Sequence, residues 1–172
     1  MYTNVVDREI IILAHNIRSC HNVGSLFRTC DGFGVKSLIL SGYSPYPKKA
    51  DNDDRLPHIA DKLTADIHKT ALGSEEIVSW QHFDNPLSEL KKLQSSGYSL
   101  IGLEQTASSV NLPDFKVPDK SVLILGEEVD GINSDLLSAC QHVIEIPMQG
   151  QKESFNVAVA AAIALYHFRF SS

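Results

Sequence analysis

The chain has 172 residues, of which 43% are hydrophobic and 21% are charged, and its formal net charge is −6. This length and composition predict a single domain, residues 1–172, with enough apolar side chains for a real core. The negative charge argues against a protein that holds nucleic acid through overall positive charge, although it leaves room for a local basic surface.

The predicted elements begin with EIIILAH, residues 9–15, an apolar run that is typical of a buried strand. Residues 22–33 follow with apolar side chains at helical spacing, and VKSLILSG, residues 35–42, predicts a second strand. Residues 41–58 hold three prolines and mixed charges. They predict a long loop, and long loops in compact domains often carry function.

The same alternation continues to the end of the chain. Residues 86–94 predict a surface helix, and Asn133 or Ser134 is placed to cap a helix that runs through Cys140. Residues 69–80 fit more than one element. The remaining predictions are strands at 98–104, 121–126 and 142–147, a loop at 111–120 and a last helix after Asn156. The pattern predicts an α/β fold, a mostly parallel sheet with helices on both faces, whose ligands bind outside the carboxyl ends of the strands.

The sequence argues against several classes of site. Three cysteines without a CxxC pair do not form a disulfide framework and indicate a reduced, cytoplasmic setting. The seven scattered histidines lack metal-ligand spacing, which predicts no metal. No apolar run approaches the ~18 residues of a spanning helix, which predicts no membrane contact.

The first of three notable loops is HNVGSLFRTCDGFG, residues 21–34. Its apolar stripe faces the core, so Arg28 points nearly the opposite way, and Gly24 lies on the same side as Arg28. A glycine inside a helix costs about 1 kcal/mol relative to alanine. Close approach of a ligand beside Arg28 is one reason to tolerate it. A solvated Arg28 with an incidental Gly24 is the alternative.

The second loop, LILGEEVDGI at residues 123–132, follows a buried strand that ends at Gly126 and continues into two adjacent acids. It lacks the glycine pattern of dinucleotide-binding proteins and the lysine of phosphate-binding loops, which counts against a small dehydrogenase. Two carboxylates at this place suit a cationic or hydroxyl-bearing ligand. A solvated acidic turn is the alternative.

The third stretch, QGQKESFNVAVAAAIALYHF at residues 149–168, runs from a polar cluster into ten unbroken apolar residues. Ser154 and Asn156 are both residue types that cap helices, and capping explains only one of them. The small side chains after them predict a helix that packs closely in the core or against a second subunit.

Together these stretches resemble the three motifs of the SpoU/TrmH family of RNA ribose 2′-O-methyltransferases, within the SPOUT superfamily. The order and spacing of the motifs agree, and the resemblance covers nearly the whole chain. The matching positions are Asn22, Gly24, Arg28, Phe33 and Gly34, then Leu125, Gly126, Glu128 and Gly131, then Ile146, Pro147, Met148, Gly150, Ser154, Asn156 and Val157. Glu127 departs from the usual Asn and adds negative charge, and Phe155 departs from the usual Leu but keeps an apolar wall.

The resemblance implies a C-terminal deep trefoil knot, one of the few exceptions to unknotted topology, and a homodimer whose active sites draw residues from both subunits. It also implies methyl transfer from S-adenosyl-L-methionine, without a metal, to a ribose 2′-hydroxyl of RNA, with transfer RNA favoured over ribosomal RNA. A non-catalytic RNA-binding protein built on the same fold is the alternative.

The chain resembles the catalytic core alone, without an added RNA-binding domain. RNA affinity would then come from a local patch, from the pooled surface of a dimer or from an accessory protein. The basic residues of such a patch would be Arg18, Arg28, Lys48, Lys49, Arg55 and Lys152.

The resemblance further assigns roles to single residues. Arg28 would hold the phosphate of the target nucleotide, since its planar fork suits bidentate binding. Ser154 would orient Arg28 or that phosphate, and Asn22, Glu128 and Asn156 would fix the surrounding shell. The methyl donor would be bound by Leu103, Gly126, Ile146, Met148 and Phe155, with Glu104 as a further contact.

Overall fold

A computed structural model describes residues 7–171 and shows seven strands and six α-helices there. The strands are Glu9–His15 (β1), Ser37–Ser41 (β2), Trp80–Phe83 (β3), Ser99–Leu103 (β4), Val110–Asn111 (β5), Lys120–Leu125 (β6) and His142–Glu145 (β7). The helices are Cys20–Gly32 (α1), Pro57–Ala71 (α2), Ser74–Ile77 (α3), Leu87–Ser95 (α4), Ser134–Ala139 (α5) and Val157–Phe170 (α6). None of these helices is long and apolar enough to cross a bilayer.

The strands form one sheet in the order β3-β2-β1-β6-β4-β7-β5, and every neighbouring pair is parallel. Strand β1 lies inside the sheet and is apolar on both sides: Ile10 and Ile12 face one apolar cluster, and Ile11 and Leu13 face another. Helices α1, α2 and α6 cover the first cluster, and α4 and α5 cover the second. The predicted parallel sheet with helices on both faces is confirmed.

Two elements differ from the sequence-based expectation. The predicted loop at 41–58 ends earlier, because Pro57 opens α2 at a position where its missing N–H costs nothing. Ala60, Ile67 and Ala71 of α2 are buried, and they recur at helical spacing. The other difference is β5, a two-residue strand that begins just before the predicted loop at 111–120.

The interpretation of Gly24 as a point of ligand approach beside Arg28 is wrong. Gly24 is buried against α2, and a Cβ atom added there would lie 2.1 Å from Thr70 Oγ1 and 2.3 Å from the Ile67 carbonyl oxygen. The Thr70 hydroxyl also donates a hydrogen bond to the His21 carbonyl at 2.8 Å. The glycine therefore allows two helices to touch, and its cost in α1 is offset by that contact.

Two arginines fasten α6 to the beginning of the chain. Arg8 Nη1 donates to the Phe168 carbonyl at 2.7 Å. Arg169 donates to the carbonyls of Phe33 at 2.7 Å, Gly34 at 2.6 Å and Arg8 at 2.5 Å. The last helix is thus held against both the start of β1 and the turn that follows α1.

Candidate functional site

A cavity of about 310 Å³ opens where β4, β6 and β7 end, a volume within the range of small-molecule sites. The segments after these three strands form its walls, and residues 153–155 with the start of α6 close it. The position agrees with the expectation for a parallel sheet. All six residues that were predicted to contact the donor line this cavity: Leu103, Glu104, Gly126, Ile146, Met148 and Phe155.

The turn after β6 has a backbone that requires both of its glycines. Glu127 and Gly131 exchange two backbone hydrogen bonds of 3.0 Å, which fold the chain back on itself. A Cβ on Gly126 would lie 2.3 Å from the Gly131 carbonyl carbon, and Gly131 itself has a φ of +70°. The Glu104 carboxylate accepts the Ile132 N–H at 2.9 Å from the neighbouring strand. The turn is therefore a shaped wall of the cavity rather than a loose acidic loop.

A chain of hydrogen bonds joins the three motifs. Asn156 caps α6, because its Oδ1 accepts the Ala158 N–H at 3.0 Å. That bond turns the Asn156 amide nitrogen toward Asn22 Oδ1, to which it donates at 3.1 Å. Asn22 Nδ2 then donates to Glu128 Oε1 at 2.9 Å. The structure thus brings together three of the five predicted catalytic residues and fixes the direction of every bond between them.

The other two predicted catalytic residues are not in contact within one chain. Ser154 lines the cavity, and its hydroxyl has no hydrogen-bond partner in residues 7–171. Arg28 is exposed on α1 outside the cavity and has no ion-pair partner in the same range. It follows Asn22 by six residues, which is about 9 Å along a helix axis. The predicted contact between Ser154 and Arg28 is therefore absent from the single chain.

The cavity is strongly acidic. Among its described lining residues none is Lys or Arg. The carboxylates that line it belong to Glu104, Glu127, Glu128, Asp130, Glu145 and Glu153. The residues described contain no group of three His, Cys, Asp or Glu side chains that could hold a metal ion. Such a lining attracts a positively charged organic ligand and disfavours a phosphate.

The structure changes the predicted basic patch. Arg55 donates to both Asp53 carboxylate oxygens and to the carbonyls of Tyr46 and Pro47, so it organises the loop between β2 and α2. Lys48 pairs with Asp61 at 2.8 Å. Within the described chain, the members of the patch without an ion-pair partner are Arg28, Lys49 and Lys152.

A buried histidine supports the strand ends beside the cavity, and the sequence analysis did not single it out. His15 Nδ1 lies 2.8 Å from Ser41 Oγ. Asn133 caps α5 through its Oδ1, as predicted, so its amide nitrogen donates to His15 Nε2 at 3.0 Å. His15 Nε2 must then be unprotonated. Burial lowers the pKa of His15 below its usual 6.5, and the nearby Glu127 carboxylate opposes this shift.

The free energy of unfolding should depend on pH because the pKa of His15 is lowered in the folded protein. Near pH 6.5 the unfolded chain takes up a proton at His15 that the folded protein does not, so the free energy of unfolding should fall as the pH is lowered from about 7.5 to 5. Urea unfolding of His15→Gln should show a weaker fall over that range. His58→Gln, at an exposed position on α2, should retain the slope of the original protein. Equal slopes in all three proteins would contradict the assignment.

The fold and the cavity together define a general class of protein. It is an α/β protein with an acidic small-molecule site built from three loops at the carboxyl ends of a parallel sheet. The model of the SpoU rRNA Methylase family matches residues 9–166, and the chain belongs to that family. The resemblance inferred from the motifs is confirmed.

Solved structures of the same fold agree with this placement. The TrmH/SpoU tRNA modifying enzyme of Aquifex aeolicus matches with a TM-score of 0.76 and 27% identity over 96% of this chain and 76% of that chain. The SpoU methyltransferase AviRb of Streptomyces viridochromogenes, solved with AdoMet, matches with a TM-score of 0.77 and 22% identity, over 95% of this chain and 58% of that one. Because AviRb is only 22% identical to this chain, the match shows a shared fold alone.

Curated relatives are named for two kinds of RNA. The tRNA (guanosine(18)-2′-O)-methyltransferase of Aquifex aeolicus is 30% identical over 92% of this chain. The 23S rRNA (guanosine-2′-O-)-methyltransferase RlmB of Neisseria meningitidis is 29% identical over 96%. The chain spans 68% of the first relative, 60% of the second and only 9% of the mouse relative TARBP1, which is 28% identical.

Proposed function

We propose that this protein transfers a methyl group from S-adenosyl-L-methionine to a ribose 2′-hydroxyl of RNA. The observation that carries the proposal is that residues of the second and third motifs line one acidic cavity, and that Asn22 of the first motif joins them through the Asn156–Asn22–Glu128 hydrogen bonds. Transfer RNA is the first substrate to test, because the Aquifex relative, of which this chain covers 68%, is named for transfer RNA. The proposal includes a single catalytic domain with the trefoil knot of the family.

The cavity suits both the flat adenine and the positively charged groups of S-adenosyl-L-methionine. Leu103, Ile146, Met148 and Phe155 supply apolar walls on which an adenine can lie. The carboxylates supply negative charge for a donor whose sulfonium and amino groups are positive. The sulfonium makes the methyl group reactive by itself, so the protein's task is to hold the donor and the hydroxyl in line. Orientation of this kind contributes up to about 7–11 kcal/mol in favourable systems.

The position of Arg28 supports a homodimer. Arg28 lies outside the cavity of its own chain, although its exposed guanidinium is suited to bind the phosphate of the target nucleotide. Helix α6 also exposes apolar side chains, with Val159 at 47%, Tyr166 at 62% and Phe170 at 38% exposure. We expect a second copy to cover this face and to bring its Arg28 to the cavity, where Ser154 orients the guanidinium or the phosphate. The hydroxyl proton leaves by way of the bound phosphate.

The test is transfer of labelled methyl groups from S-adenosyl-L-methionine to transfer RNA and, in parallel, to ribosomal RNA, followed by nucleoside analysis. The expected product is a 2′-O-methylnucleoside in transfer RNA. A base-methylated product would overturn the proposed chemistry. RNA binding without methyl transfer to either RNA would support the non-catalytic alternative.

A further inference from the structure

An exposed aromatic side chain stands beside the cavity without a role in the site described above. Tyr43 follows the end of β2 and is 51% exposed. The Arg18 guanidinium carbon lies 6.0 Å from the centre of the Tyr43 ring. Arg18 belongs to the loop between β1 and α1, so two separate loops bring a cation and an aromatic ring within cation–π distance.

The backbone that carries Tyr43 is firmly held. Asn16 and Gly42 both adopt left-handed conformations, with φ values of 58° and 63°. Asn16 Oδ1 accepts the Tyr43 N–H at 3.2 Å, and the Ser44 hydroxyl accepts the Ile17 N–H at 2.9 Å. These bonds join the turn after β2 to the loop after β1. The exposed ring therefore stands on a rigid support, which lowers the entropy lost when a ligand contacts it.

The charge of Arg18 is already compensated. Its Nη2 lies 2.5 Å from Glu127 Oε1, and Glu127 is a lining residue of the cavity. The Arg18 side chain is nevertheless 66% exposed. A phosphate would have to compete with Glu127 for this guanidinium and would meet the acidic lining as well. The exposed parts of the guanidinium and of the Tyr43 ring remain available for a neutral, flat ligand.

We propose that Tyr43 and Arg18 form a stacking subsite for an unpaired nucleobase of the RNA substrate at the rim of the cavity. The inference rests on the proposed function and deepens it. Unstacked RNA bases commonly lie on aromatic rings and on arginine planes, and such stacking tolerates any base. It would let an acidic protein bind RNA through flat contacts where positive charge is scarce.

The subsite can be tested with a single-stranded oligoribonucleotide that contains one 2-aminopurine, whose fluorescence is quenched on stacking. Tyr43→Ala should weaken its binding by roughly 5- to 150-fold, the range measured when a stacking side chain is removed. Tyr43→Phe keeps the ring and should bind within about twofold of the original protein. Ile77→Ala truncates another exposed apolar residue, just before β3, and should also bind within about twofold of the original protein.

Affinity for S-adenosylhomocysteine should stay the same in all four proteins. Unchanged oligoribonucleotide binding by Tyr43→Ala, or no saturable quenching with the original protein, overturns the subsite. Parallel loss of S-adenosylhomocysteine binding in Tyr43→Ala also overturns it, because Tyr43 would then serve the donor cavity or the fold. The binding measurement requires no methyl transfer, so its outcome is separate from that of the proposed function.

Discussion

Replacing Arg28 with alanine is expected to lower the rate of methyl transfer about 100- to 1,000-fold, the usual cost of removing one charged or polar contact to a transition state. Affinity for S-adenosylhomocysteine should remain unchanged, because Arg28 does not line the cavity of its own chain. Isothermal calorimetry and labelled methyl transfer measure the two quantities on the same preparation. Loss of methyl transfer with unchanged affinity for S-adenosylhomocysteine is the informative result, because an unfolded variant would lose both activities.

Two variants control this experiment. Arg28→Lys keeps the positive charge but loses the bidentate fork, so its rate should lie between those of the original protein and Arg28→Ala. Lys91→Ala removes an exposed charge from α4, on the opposite face of the sheet, and should leave the rate unchanged. If Arg28→Ala instead lost its affinity for S-adenosylhomocysteine, Arg28 would belong to the donor site of the dimer and its phosphate role would be wrong.

Replacing Gly126 with alanine is expected to abolish donor binding. The added Cβ would lie 2.3 Å from both the carbon and the oxygen of the Gly131 carbonyl and 2.4 Å from the Ile132 nitrogen. All three are backbone atoms, so no side chain can move aside, and the turn that forms the cavity wall must open. The free energy of unfolding should fall by about 1–3 kcal/mol, as for other overpacked sites.

Gly32→Ala is the matched control for Gly126→Ala. Gly32 ends α1, and a Cβ there would meet no atom within 4 Å. Its stability should be unchanged or slightly higher, since alanine favours a helix more than glycine does. Circular dichroism would show that both variants fold. Retention of S-adenosylhomocysteine binding by folded Gly126→Ala would mean that the turn is not a wall of the donor site.

The sequence predicted the sheet well for a physical reason. Strands buried on both faces are uniformly apolar, so runs such as Ile10–Leu13 are visible without a structure. The ends of parallel strands meet at one edge, which is why Gly126, Ile146 and Leu103 converge as expected. Helix α2 is not part of the prediction, although its buried residues Ala60, Ile67 and Ala71 recur at helical spacing.

Other features depend on contacts that no local pattern contains. Asn22 bonds to partners 106 and 134 residues away, and their motifs predicted a common shell but not the order of the bonds. The sequence alone offers ligand approach as one reason for Gly24, because its true neighbour, α2, is absent from the prediction. The ion pair between Arg18 and Glu127 also joins distant loops. Its one sign in the sequence is Glu127 itself, an acid at a position where the family usually has Asn.

The fastening of α6 by Arg8 and Arg169 has a consequence for folding. Its hydrogen bonds join residues about 160 positions apart, so this contact cannot form until the chain has been synthesised through α6. Residues 153–155, the wall that closes the cavity, come immediately before this helix. A nascent chain that lacks α6 can pair its first strands but cannot enclose a ligand. We therefore expect ligand binding in the cavity to require α6, and a ligand-dependent gain in stability would report that this helix has docked.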